Sequence, residues 1–160
     1  MIRRYVLKLL YACLIAVNLQ GCSALGVKGK ELYLFDTDAM KSQQNIGALS
    51  VGTATSGYWT PTEEEASKAV DITERYIARN WVGRLPRNYE NSYVHQVYGV
   101  LADERSVVVV GICRDIAREY GDEIGIHLVQ IVDGGTCVYH SIVSVQDERV
   151  IEFAFNPVGG

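Results

Sequence analysis

His127, His140, Cys113 and Cys137 carry the side chains with the most chemistry within reach of one another in sequence. If Gly134 and Gly135 form a two-residue turn, Val129 faces His140 and His127 lies diagonally across from it on one side of a sheet. Two imidazoles so placed are the beginning of a zinc site, but spacing puts no cysteine or carboxylate on that face as a third ligand. Val129, Ile131, Val138 and Ile142 share the face, which suits a pair of half-buried histidines equally well. A Cys–His nucleophile is the other arrangement to test. Cys137 and His140 are three apart in a strand and so point to opposite faces, and Cys113 meets His127 only through tertiary contact. His95 has no predicted partner. Since the chain shows no Gly-rich phosphate loop, serine-nucleophile motif or paired-carboxylate signature, no cofactor and no catalysis are expected; a small enzyme using His127 and His140 is the alternative.

A second class of candidates is aromatic. Trp81, Tyr89, Tyr93 and Tyr98 cluster in sequence, and such side chains favour surfaces that are half apolar and half wet. They are either ordinary packing or a recognition patch, because aromatic anchors dominate binding hot spots.

The elements that must position these residues fall into two periods. From Ala66 through Ala69, Val70, Thr73, Tyr76, Ile77 and Trp81 the apolar positions recur at helical spacing, with Glu64–Lys68 and Asp71–Arg75 on the opposite side. Thr60 is the expected N-cap, Pro61 the first helical residue, Glu63 the capping-box acid and Gly83 the stop. The period then changes to two. Tyr93–Leu101, Val107–Cys113, Ile124–Val132, Thr136–Val145 and Val150–Asn156 read as strands, separated by residues 102–105, Asp133-Gly134-Gly135 and Gln146-Asp147-Glu148, with a short helix within 114–122. The expected fold class is α+β, one long amphipathic helix packed on a curled antiparallel sheet of about five strands with one face open.

In a sequential meander the third of those strands would hold Cys113 and Cys137 apart by roughly 20 Å at about 3.3 Å per residue. A disulfide requires Cα atoms within about 7 Å. An isolated pair in an oxidising compartment would favour the bond, so either residues 114–123 bring the chain back or the strand order is not sequential.

The chain begins with Arg3 and Arg4, an apolar run from Leu9 to Leu19, and then Leu19-Gln20-Gly21-Cys22-Ser23. The run is too short for the roughly 20 apolar residues of a membrane span. Its layout is that of a signal peptide, and the ending resembles the lipobox of bacterial lipoproteins, Leu-x-Gly-Cys. That resemblance implies loss of residues 1–21, lipidation (including palmitate) of Cys22, and, from Ser23, a place on the periplasmic side of an outer membrane. Residues 22–57 then read as tether and irregular N-terminal region, with residues 31–36 apolar enough to form a strand, and residues 58–160 as the folded domain. Removing Arg3, Arg4 and Lys8 leaves 12 basic residues against 19 acidic ones, a charge of −7. Such a balance excludes nucleic acid as a partner, since phosphate backbones reward lysine and arginine. The helix-and-sheet layout of residues 58–156 resembles cystatin-like domains, which host inhibitors, enzymes and binders alike. The expectation is a membrane-anchored binding module, an inhibitor or immunity protein among the possibilities, engaging an unidentified envelope protein or polymer; a structural envelope component is a further alternative.

Overall fold

The computed structural model describes residues 23–27, 30–43, 55–81, 85, 92–131 and 134–157. Its strands are β1 (Ser23–Val27), β2 (Lys30–Leu34), β3 (Gly57–Trp59), β4 (Tyr93–Leu101), β5 (Arg105–Cys113), β6 (Val138–Ser144) and β7 (Arg149–Phe155). Its helices are α1 (Thr37–Ser42), α2 (Glu63–Asn80) and α3 (Arg114–Tyr120). The result is α+β, with one mixed sheet in the order β1-β2-β4-β5-β6-β7 and β3 also on β4.

The centre of the sheet is the β4–β5 hairpin, paired from Tyr93↔Cys113 to Leu101↔Arg105. Both strands are buried almost throughout, which is why Val107 to Val110 form an unbroken apolar run instead of alternating. The outer edge of β4 is shared. β2 runs parallel to its first half (Glu31↔Val94 to Leu34↔Val97), while β3 runs antiparallel to its second half (Trp59↔Gly99 to Gly57↔Leu101). A parallel pair requires a crossover, which the segment containing α1, β3 and α2 supplies. Residues 30–34, overlapping the stretch apolar enough to form a strand, therefore join the sheet, and residues 23–27, read as tether, pair with them. The Ser-, Gln- and Gly-rich stretch at 44–54 lies outside the described residues, as does the expected stop at Gly83.

Helix α2 starts two residues later than the sequence pattern indicates. Thr62 caps it and Glu65 closes the capping box, with Glu65 N–H on Thr62 Oγ1 at 3.2 Å and Thr62 N–H on Glu65 Oε2 at 2.8 Å. Thr60-x-x-Glu63 and Thr62-x-x-Glu65 are equally good boxes on paper. Thr60 is occupied elsewhere, since its hydroxyl accepts the Thr37 N–H at 3.0 Å where α1 begins.

Both faces of the sheet are covered, so the expected open face does not exist among the described residues. Over one face α2 buries Ala66, Ala69, Val70, Ile72, Thr73 and Ile77 against Val97, Val107, Val109, Tyr139 and Val143. Over the other, Phe35, Met40, Ala117, Ile124, Leu128 and Val129 cover Val94, Tyr98, Val108, Val110 and Ile142.

As far as residue 131, the last one described there, the expected strand at Ile124–Val132 is instead a 3-10 turn at Gly121–Gly125 followed by irregular backbone lying on that second face. Two glutamines replace the missing ladder. Gln96 donates to Ile124 O at 2.6 Å and His127 O at 2.8 Å and accepts from Val129 N–H at 3.0 Å. Gln43 accepts from Leu128 N–H at 2.6 Å. Removing that strand resolves the cysteine geometry. β6 pairs directly with β5, Ile112 opposite Val138, so Cys113 and Cys137 stand next to each other with Cα atoms 4.8 Å apart and form a disulfide. Gly134 and Gly135 do not make the expected hairpin; Gly135, at φ 54°, opens the 3-10 turn Gly135–Cys137 that leads into β6.

Candidate functional site

The aromatic side chains that share a site come from α2, β4, β6 and β7. Trp81 is the C-cap of α2, and Tyr76 lies just over one turn before it. Phe153 and Phe155 alternate along β7 and so both face α2. The Trp81 ring lies 6.0 Å from Phe153 and 5.0 Å from Phe155, and Tyr76 lies 5.3 Å from Phe153. Beneath them Tyr139 is fully buried, 5.1 Å from Tyr93 and 5.5 Å from Phe153. The Tyr139 ring fits because residue 111 is glycine, whose position on β5 between His95 and Tyr139 would otherwise carry a Cβ straight into that ring. Tyr93 donates to Thr136 O at 2.5 Å, beside the disulfide, and burial pushes its phenol up to about 12. Tyr76, Trp81, Phe153 and Phe155 remain half-buried, forming an aromatic rim along β7, which among the described residues pairs only with β6.

This site contains two of the residues expected from sequence, Trp81 and Tyr93. Tyr98, an odd number of positions from Tyr93 in the same strand, points to the second face, where it packs edge-on against Tyr58 at 6.4 Å. Tyr89 and the lipobox residue Cys22 lie outside the described residues. Sequence reasoning missed Tyr76, Tyr139, Phe153 and Phe155 as one group. The alternation of Phe153 and Phe155 was the available signal, but it does not say which helix end they meet.

His127 and His140 are not brought together. His127 is on the irregular segment, largely exposed, with Nε2 3.3 Å from Glu123. His140 is in β6 opposite Val110 and Ala154, and burial lowers its pKa while a hydrogen bond with Asn156 works the other way. The disulfide leaves neither Cys113 nor Cys137 as a thiol. Among the described residues, no cluster of three His, Cys, Asp or Glu residues could hold a metal ion.

At the other end of the sheet the β4–β5 turn, the start of α2 and the β6–β7 turn gather Asp103, Glu104, Glu63, Glu64, Glu65, Asp147 and Glu148. A cleft of about 540 Å³ opens there beside Trp59, whose ring carries the Arg105 guanidinium 3.5 Å from its centroid. Its charges are largely spent on one another: Lys68 pairs with Glu148 at 2.8 Å and Arg105 approaches Glu65 at 3.4 Å. The molecule thus has an acidic end and an aromatic end. Comparison of the chain with protein-family models, curated proteins and solved structures finds no match.

Proposed function

We propose that this chain is a lipid-anchored, non-enzymatic binding module of the bacterial envelope, and that the aromatic rim is its contact surface. The observation that carries the reading is the rim itself. Tyr76, Trp81, Phe153 and Phe155 stay half-buried beside β7, where a partner would complete their burial. The anchoring half rests on the lipobox-like Leu19-Gln20-Gly21-Cys22 alone. β1 begins at Ser23, immediately after Cys22, with Ser23 opposite Leu34 and Val27 opposite Lys30. Because Leu34 lies opposite Val97, β1 starts level with the middle of β4 and runs toward its Tyr93 end. Confinement to a thin layer raises the effective concentration of an anchored binder, so modest affinity suffices. The partner is a protein or envelope polymer, an inhibited hydrolase being one form of this. The cystatin-like likeness belongs to the same proposal and extends only to α2 and β4–β7.

Two experiments test the two halves. Cys22→Ser should abolish palmitate labelling and shift the chain from the membrane to the soluble fraction; unchanged labelling removes the anchor. The full chain should retain an envelope component in pull-down that a Trp81→Ala/Phe155→Ala variant does not. Equal retention by the folded variant would rule out the rim.

A further inference from the structure

Lys30, Asp71, Glu74 and His95 meet where β2, α2 and β4 come together. His95 is 1% exposed, and its ring nitrogens make no well-aligned hydrogen bond, only a weak approach to the Glu31 backbone. A buried imidazole so poorly partnered is costly to keep and costlier to charge. Lys30 Nζ contacts Asp71 at 2.7 Å and Glu74 at 2.5 Å, and the other Glu74 oxygen stands 3.9 Å from His95 Nε2. The remaining groups around the ring are the Glu31 backbone from β2, Arg114 at the start of α3 and Tyr139 of β6, the last with its ring 6.3 Å away. Arg114 is itself held by Glu31 at 2.7 Å.

We propose that Lys30 pins an acid-sensitive clasp: in mildly acid solution His95 takes its proton by opening the seam between β2 and β4, which frees the β1–β2 hairpin while α2 stays on the sheet. The seam is the weaker cover. β2 holds β4 through four parallel residue pairs, whereas α2 buries six side chains in the core. A charged His95 would also compete with Lys30 for Glu74, drawing away one of the two carboxylates that fix the start of β2. Burial holds His95 down at about 3 in the closed form, Lys30 and Arg114 push the same way, and the Glu31 backbone opposes them. The closed form therefore binds fewer protons than the open one below the ordinary histidine value of 6.5, and the open form gains as pH falls from there toward 3. Between pH 7.5 and 5 the opening equilibrium should rise about thirtyfold, before carboxylates of ordinary pKa have largely protonated. This inference does not rest on the anchored-binder reading.

The test is hydrogen exchange of the full chain at those two pH values, corrected for intrinsic rates. Residues 31–34 should open about thirtyfold more at pH 5 while residues 70–77 do not, and His95→Gln should abolish the rise. An equal rise in both segments, no rise in the parent, or a persistent rise in His95→Gln overturns the clasp. If His95→Gln does not fold, Lys30→Met decides. It should speed exchange at 31–34 already at pH 7.5 and shrink the further rise at pH 5; unchanged exchange at pH 7.5 overturns it.

Discussion

On one face of the sheet a single 18-residue helix, α2, covers Val97, Val107, Val109 and Tyr139. On the other, Phe35, the six-residue α1, the seven-residue α3 and the backbone around 124–129 do the same work in pieces. The first cover satisfies its own backbone polar groups and adds only an apolar stripe. The second cannot, because irregular backbone placed against a core leaves N–H and C=O groups that must find partners. Gln96 and Gln43 are those partners, each spending a buried amide on main-chain atoms of the strap. A regular element is held by the area it buries, and an irregular one by side-chain hydrogen bonds as well as area.

If that contrast is right, the largest effect should come from Gln96→Leu, which conserves bulk but orphans Ile124 O, His127 O and Val129 N–H. At about 1–3 kcal/mol for each unsatisfied group, a loss of about 4 kcal/mol in urea unfolding is expected, with exchange protection lost first at 124–129. A loss below about 1 kcal/mol would break the comparison, showing that packing alone holds the strap. Next, replacing both Cys113 and Cys137 with Ser should cost about 3 kcal/mol by the same measurement, because the bond closes the loop that contains α3 and the strap. Thr62→Ala removes one capping interaction from a helix held mainly by burial, so about 1 kcal/mol is expected. Lys68→Met, at an exposed ion pair on the α2 side, should change stability by less than about 0.5 kcal/mol. A larger effect there would mean that charge, as well as area, holds the regular face.

The difference between the faces also explains what could be read from residues alone. α2 was legible because Ala66, Ala69, Val70, Thr73 and Ile77 keep one period over about three turns; only its cap was displaced, by the choice between Thr60 and Thr62. The β4–β5 hairpin and β7 were legible from β-branched and aromatic runs. Residues 124–131 carry a strand pattern without forming a strand, because a short apolar run looks alike whether it joins a sheet or lies across one. Nothing local marks Gln96, in the middle of β4, or Gln43, next to α1, as the groups that receive it. The aromatic site was half legible for a related reason. Trp81 and Tyr93 belong to it, Tyr98 does not, and Phe153 and Phe155 enter through pairing of distant strands.

The amino-acid sequence by itself determined the α+β class, the long helix and four of the seven strands among the described residues, since each depends on spacing along a few turns or one strand. Only the tertiary structure decided that β2 inserts parallel to β4, that β6 lies against β5 and so joins Cys113 to Cys137, and that both faces are covered. Those outcomes depend on which distant segments exclude water from one another, and no periodicity within a segment specifies its partner.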